Sequence, residues 1–439
     1  MWPYYPDLLA RPIPRYTSYP TAAEFNDMIG SRELGAAFDT ITADQPLSLY
    51  LHIPFCREIC WYCGCNTGAA NREARVSAYL DALENEIDLV AGWIGSRGRV
   101  QRIAFGGGSP NAITPLRFVR LIDRLVTRFD VPRVDLSVEL DPRTLTPEWI
   151  AVLGAIGVDR VSLGVQTFAP HVQQAIGRIQ PTEMIITAVD SLRAAGVGSV
   201  NFDLMYGLPG QSLEDLADTL TTALDIRPDR ISLFGYAHLP AMLPRQRRID
   251  SASLPDGRLR FDQAALGYQR LTDTGYRPVG FDHFARPDDP LALAARQGRL
   301  RRNFQGFTDD EGDTLIGLGA SAISQFPDLL AQNEKMAGRY RMIVNAEQLS
   351  ARRGVVRTAE DRRRGTAIER FLCDGQAMLD DDLFAQAGAG LAKFVERGLV
   401  TLQKGMICLG DGGLPYARAI ASRLDAYRME SSGRFSHAV

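Results

Sequence analysis

Four of the chain's six cysteines, Cys56, Cys60, Cys63 and Cys65, lie in the stretch HIPFCREICWYCGCN at residues 52–66. The first three have the spacing CxxxCxxC, short enough for three thiolates to converge on one centre from a single loop. Thiolate is a soft ligand that serves iron-sulfur clusters and zinc alike. A structural zinc would want a fourth ligand, for which Cys65 or His52 can be nominated. A three-thiolate cluster would leave one iron open, and a redox dithiol is the third reading. Farther along, the run GGGSP (106–110), Glu139, Gln166 and Asp203 are polar or unencumbered residues. Each alone has an ordinary explanation as a turn or a strand-end cap.

The elements that carry these residues bring them to one edge. From residue 47 the chain alternates β-branched apolar runs with amphipathic stretches, the pattern of repeated βα units and a mostly parallel sheet. Six strands are predicted, at 47–53, 100–105, 134–140, 158–165, 199–205 and 229–236. Helical spacing covers 77–94, with Ser77 as candidate N-cap, and 213–226, with Ser212 in that role. Six units are too few for a closed eight-stranded barrel, but they make an open barrel or a doubly wound sheet. Both place chemistry at strand C-terminal ends. The cysteines follow the first strand, GGGSP the second, Glu139 ends the third, Gln166 follows the fourth, and Asp203 sits late in the fifth. That common edge argues for one shared site.

The flanking segments divide the chain into an N-terminal arm (1–46), the βα body with its loops (47–325) and a smaller, mostly helical C-terminal domain (326–439). The polar connection 239–258 is expected to run over the surface. A helix near 258–274 and an extra strand near 276–284 follow, and the Gly-rich segment 284–324 reads as long loops over the site.

Composition excludes several classes. Across 439 residues, 45% are hydrophobic and 23% charged, ordinary for a globular chain. The proline-rich N-terminus lacks the apolar core of a secretory signal, and no run approaches the roughly 18 apolar residues of a spanning helix. A cytoplasmic location without a membrane partner is therefore expected, where clustered cysteines serve as ligands or thiols rather than disulfides. A net charge of -3 gives no global attraction to nucleic acid.

CxxxCxxC after the first strand, with a Gly-rich turn after the second, resembles the radical S-adenosylmethionine superfamily. Longer strings narrow the resemblance: PRYTSYPTA (14–22), YLHIPFC (50–56), CGCN (63–66), DLMYGLPGQ (203–211), YAHLP (236–240), DHFARPDD (282–289) and RNFQGF (302–307). These are similar to the oxygen-independent coproporphyrinogen III oxidase family. The resemblance implies a partial (β/α)6 radical-SAM barrel of the α/β class. It also implies a 4Fe-4S cluster on Cys56, Cys60 and Cys63 and two molecules of S-adenosylmethionine. The implied substrate is coproporphyrinogen III, acted on by a monomer with an unidentified electron donor and acceptor.

Residue by residue, it implies that Gly107, Gly108 and Ser109, where the family usually has Thr, meet the methionine end of S-adenosylmethionine. Glu139, Gln166, Arg178 and Asp203 take its polar groups, Arg178 its carboxylate. Tyr50, Tyr62, Cys63, Gly64, Ala237, Phe304, Gln305 and Ile323 match further positions around the cofactors. Cys65 is implied to be a nearby thiol that does not ligate. The substrate is a polyanion, and Arg15, Arg286, Arg301 and Arg302 lie in family-like strings as candidate propionate partners.

Overall fold

The computed structural model describes residues 2–131 and 134–428. Six parallel strands run β1 (Pro46–Ile53), β2 (Arg99–Gly107), β3 (Asp135–Leu140), β4 (Arg160–Gln166), β5 (Ser199–Tyr206) and β6 (Arg230–Gly235). Each agrees with a predicted strand to within about two residues. The helices between and after them include α1 (Glu73–Ile94), α2 (Pro115–Phe129), α3 (Pro147–Ile156), α4 (Thr182–Ala194), α5 (Leu213–Ile226) and α6 (Gly257–Asp273). Ser212 caps α5, its Oγ accepting the Asp215 N–H at 3.0 Å while the Asp215 carboxylate accepts the Ser212 N–H at 2.8 Å. That reciprocal pair satisfies two helix-end donors. Ser77 is not a cap. The helix begins four residues earlier, with Glu73 in its first turn, and the Ser77 hydroxyl accepts from the Arg117 guanidinium of α2.

Residues from all six strands line one interior cavity of about 260 Å³, among them Leu49, Ala104, Val138, Ser162, Asp203 and Ser232. The sheet is therefore curled into a partial barrel. Its open side is filled by a hairpin, β9 (Arg301–Asn303) and β10 (Gly306–Thr308), which follows the short strands β7 (Arg277–Val279) and β8 (His283–Ala285). Ion pairs help plug the far end, including Arg102 with Asp309 at 2.8 Å and Arg230 with Asp289 at 2.9 Å.

Two expectations are corrected. The segment 284–324 is not all loop: β11 (Thr314–Leu318) is wholly buried and pairs in parallel with β1, Leu49 opposite Ile316. Glycine there serves close packing, since a Cβ on Gly317 would lie 2.6 Å from the Ile323 carbonyl oxygen. The sheet then continues antiparallel through β12 (Ile323–Gln325), β13 (Leu329–Asn333) and β14 (Ala351–Val356). The twelve-stranded order is β14-β13-β12-β11-β1-β2-β3-β4-β5-β6-β8-β7. The boundary expected at 325/326 consequently falls inside the sheet, because β13 and β14 pair with it up to Val356. Beyond that point α8 (Ala359–Asp374) and α9 (Asp381–Glu396), which follow α7 (Ala337–Asn345), accompany a three-stranded antiparallel sheet, β15 (Gln376–Met378), β16 (Val400–Gln403) and β17 (Met406–Leu409).

The arm packs against both body and C-terminal part. Leu8, Leu9, Ile13, Tyr16 and Tyr19 join the core, and Tyr16 Oη donates to Asp425 at 2.9 Å. Among the described residues no helix is long and apolar enough to cross a membrane.

Candidate active site

The C-terminal ends of β1 to β5 meet at the cysteine loop. Phe55–Cys56 pairs with Gly68–Ala69, which closes residues 57–67 into a compact loop beside the β2 turn. The turn packs tightly under it: Gly108 N donates to Ile53 O and Ser109 N to Phe55 O, both at 2.8 Å. Gly107 has φ +109°, and a Cβ there would come within 2.5 Å of the His52 ring, so only glycine fits.

None of the six cysteines is in a disulfide. Each of the three predicted ligand sulfurs has a polar neighbour. Cys56 Sγ pairs with Thr67 Oγ1 at 3.3 Å. Cys60 Sγ accepts from Arg178 Nη1 at 3.2 Å and Arg143 Nη2 at 3.4 Å, and Cys63 Sγ accepts the Cys65 N–H at 3.4 Å. Hydrogen bonds to sulfur are what a thiolate ligand set requires around it. The Cys65 thiol and N–H, with Arg245 and Arg178, hold Cys63 down at about 6, whereas burial pushes Cys56 up to about 11. A four-iron cluster takes its cysteines at separate irons. The residues fit such a cluster.

Beside the loop lies a cavity of about 690 Å³, within the size range of ligand pockets. Tyr50, Gly64, Gly107, Glu139, Phe304, Gln305 and Ile323 line it, together with Cys65, Arg245 and Lys335. Glu139 and Gln305 also line the barrel interior, which contains Asp203, so the two spaces share a wall. Glu139 is walled in by protein and open to the cavities. Burial, then the Asp203 charge, raise it to about 7, although the Gly107 N–H donates to it at 3.1 Å. Burial also raises Asp203, which accepts from Ser162 Oγ at 2.8 Å and Asn201 Nδ2 at 2.9 Å. Neither carboxylate forms an ion pair with Lys or Arg among the described residues.

Other predicted residues stand behind this cavity. Gln166 is buried at φ +67°, where β4 slips register against β5. Backbone held in that region costs on the order of 1 kcal/mol and persists only when its surroundings enforce it. Arg178 is buried and bonds Gly164 O, Asp141 and Cys60. Ser109 turns its hydroxyl to Asn111 Oδ1 at 2.5 Å, and Gly108 faces the loop backbone. The carbonyls of Tyr62 and Ala237 accept the Gln246 side-chain amide at 2.8 and 3.0 Å. The connection 239–258 is mostly exposed, as expected, and is strapped to the cysteine loop through Gln246 and Arg245. Loop carbonyls turned inward need donors, and the buried Gln246, with Arg245 on Thr67 O, supplies them.

The candidate propionate partners have other engagements. Arg301 pairs with Glu369 and Asp313, Arg286 approaches Asp229 and Asp288, and Arg302 donates to the Arg15 and Tyr16 carbonyls. Arg15 Nη2 donates to Gly235 O at 3.0 Å. The cations lining the large cavity are Arg245 and Lys335, both missed in the sequence. Asp141 and Arg143 were missed too, although their position just past the end of the third strand was a usable signal.

Residues 50–223 match the family model of the Radical SAM superfamily, which fits the loop, the glycine turn and the curled sheet. The chain is 42% identical over 425 residues to the oxygen-independent coproporphyrinogen III oxidase of Bradyrhizobium diazoefficiens, covering 94% of each. It is 38% identical over 426 residues to that of Escherichia coli, covering 94% of this chain and 93% of the relative. The solved coproporphyrinogen III oxidase of Escherichia coli, a radical SAM enzyme, superposes with a TM-score of 0.91 at 36% identity, covering 97% of this chain and 99% of that one. The chain belongs to the oxygen-independent coproporphyrinogen III oxidase family.

Proposed function

We propose that this chain is an oxidoreductase of haem biosynthesis that converts two propionates of coproporphyrinogen III to vinyl groups, giving protoporphyrinogen IX without oxygen. The observation that carries the reading is the pairing of a cysteine loop rich in hydrogen bonds to sulfur with two carboxylates, Glu139 and Asp203, that form no ion pair with Lys or Arg among the described residues. A 4Fe-4S cluster and S-adenosylmethionine, when bound, supply one-electron cleavage of the sulfonium and the radical that removes hydrogen. The protein's part is placement. Cys56, Cys60 and Cys63 hold the cluster, and Glu139 and Asp203 favour a cationic ligand over water in the cavity. The Gly107 turn lets that ligand approach backbone, while Phe304, Gln305 and Ile323 supply further wall of the same cavity. Arg245 and Lys335 receive carboxylates of the substrate. Each propionate loses one hydrogen atom from the carbon next to the pyrrole, one electron and carbon dioxide, so no general base is required. The electron leaves to an acceptor that the chain does not itself provide.

The finer terms of the proposal are two S-adenosylmethionine molecules, one for each decarboxylation, and a cytoplasmic monomer served by a separate electron donor. The test is an anaerobic assay of reconstituted protein with S-adenosylmethionine, dithionite, cell extract as acceptor source and coproporphyrinogen III, with porphyrins resolved chromatographically. Protoporphyrin after oxidation, dependent on all three cysteines, is the expected result. Formation of 5′-deoxyadenosine without any vinyl product would assign the radical chemistry to a different substrate.

A further inference from the structure

The wall around Cys60 holds more positive charge than a buried neutral thiol would need. Asp141, itself buried, lies between two guanidiniums: Arg143 Nη2 at 2.7 Å on one side and Arg178 Nη2 at 3.2 Å on the other. Both guanidiniums also reach the Cys60 sulfur, at 3.4 and 3.2 Å. Burial alone would push Asp141 up, but Arg178 and Arg143 overcome it and hold its carboxyl below the usual range. The inner part of this network is thus two full positive charges against one full negative charge, with the remainder directed at one sulfur.

Arg143 divides its fork between that sulfur, Asp141 and Glu58. It stands just past the end of β3, in a 3-10 turn that Asp141 caps by accepting the Arg143 N–H at 3.1 Å. Its side chain is only 6% exposed, and its Nη1 reaches outward to the exposed carboxylate of Glu58 at 2.8 Å. Arg178 likewise divides itself between Cys60, Asp141 and a third partner, but that partner is the neutral Gly164 carbonyl where Arg143 has the exposed Glu58.

We infer that Arg143 is a positioning residue that sets the reduction potential of the cluster through Cys60, with Glu58 and Asp141 metering how much of its charge the sulfur feels. This rests on the reading of Cys60 as a cluster ligand. Taking up one electron from an external low-potential donor adds one negative charge to the cluster and its thiolates. A guanidinium hydrogen-bonded to a ligand sulfur, in surroundings that exclude water, stabilises that added charge. Arg143 therefore raises the potential and makes reduction easier. Glu58 opposes it, more weakly because solvent screens its exposed carboxylate.

The experiment is a dithionite titration of the reconstituted full chain, followed by electron paramagnetic resonance, with iron and sulfide measured on each sample. Arg143→Gln is expected to retain iron and sulfide and to titrate at a more negative midpoint. Arg143→Lys recovers part of the shift, having the charge without the planar fork. Glu58→Gln moves the midpoint the other way by a smaller amount. Equal midpoints in the wild type, Arg143→Gln and Glu58→Gln, with clusters intact, overturn the inference. Should Arg143→Gln fail to hold a cluster, Glu58→Gln decides alone, and an unmoved midpoint there overturns it. A wild-type protein that takes up no iron and sulfide would instead overturn the ligand assignment beneath it.

Discussion

Glu139 and Asp141 stand two residues apart at the end of β3, in surroundings of opposite electrostatic character. Glu139 faces the ligand cavity with Asp203 as its charged neighbour and is raised to about 7. Asp141 sits behind the cysteine loop between Arg143 and Arg178 and is held low. One strand end thus serves two purposes. On its cavity side Glu139 and the neighbouring Asp203 pair with no Lys or Arg among the described residues, which suits a ligand carrying a sulfonium and an ammonium. Its cluster side turns two guanidiniums toward the Cys60 sulfur, which suits thiolates. A third carboxylate, Glu86 of α1, completes the contrast. It is buried and, among the described residues, has no ion pair and accepts from neutral donors: Gly319 N and Ser350 Oγ at 2.6 Å, Tyr340 Oη at 2.7 Å and Asn333 Nδ2 at 3.1 Å.

The contrast can be broken most severely at the cluster side. Replacing Cys56, Cys60 or Cys63 with Ser is expected to bring product formation down to assay background with loss of iron and sulfide, while Cys65→Ala retains both; metal analysis beside the assay distinguishes them. Glu86→Ala leaves three buried donors, Gly319 N, Ser350 Oγ and Tyr340 Oη, without their acceptor, while Asn333 keeps the Gly317 and Gly319 carbonyls, and should cost about 3 kcal/mol or more of stability, read by thermal denaturation. Glu86→Gln, which keeps one acceptor oxygen, should cost less. On the cavity side, Glu139→Gln is expected to weaken S-adenosylmethionine binding by about 2 kcal/mol, roughly thirty-fold, measured by equilibrium dialysis on reconstituted protein.

Glu139 also carries a pH signature. Its folded value, about 7, lies above the ordinary 4.5, so the native state binds the extra proton between them. The corresponding stability is complete below about pH 4.5 and is lost as the pH rises through 7. The cavity is open to water, so screening reduces it to about 1 kcal/mol. Glu139→Gln should flatten that slope in apoprotein melts. The smallest effect belongs to the cavity rim: Lys335→Gln should raise KM for coproporphyrinogen III a few-fold with kcat unchanged, and Arg245→Gln more, because its Nη2 also braces Thr67 O.

Much of this was legible in the sequence where the signal is local. The six parallel strands are buried runs of the right length, the cysteine spacing lies within one loop, and Ser212 with Asp215 writes its own cap. Strand β11 was not legible because Gly317 and Gly319, which let it pack against β12 and the β1 end, also read as loop. The surface reading of 239–258 holds for most of the segment but misses its inward anchor. Arginines and glutamine predict exposure, yet Gln246 and Arg245 turn inward to satisfy carbonyls of a loop some 180 residues earlier in the chain.

The sequence by itself determined the thiol set, the order of the βα units and the edge where their ends would meet, since these follow from spacing and periodicity along the chain. Only the tertiary structure decided which charges face each other. Arg178 lies 118 residues from Cys60 and Arg143 lies 83 from it. Electrostatic surroundings depend on distance through space and on the exclusion of water, and neither is written in the spacing of residues along the chain.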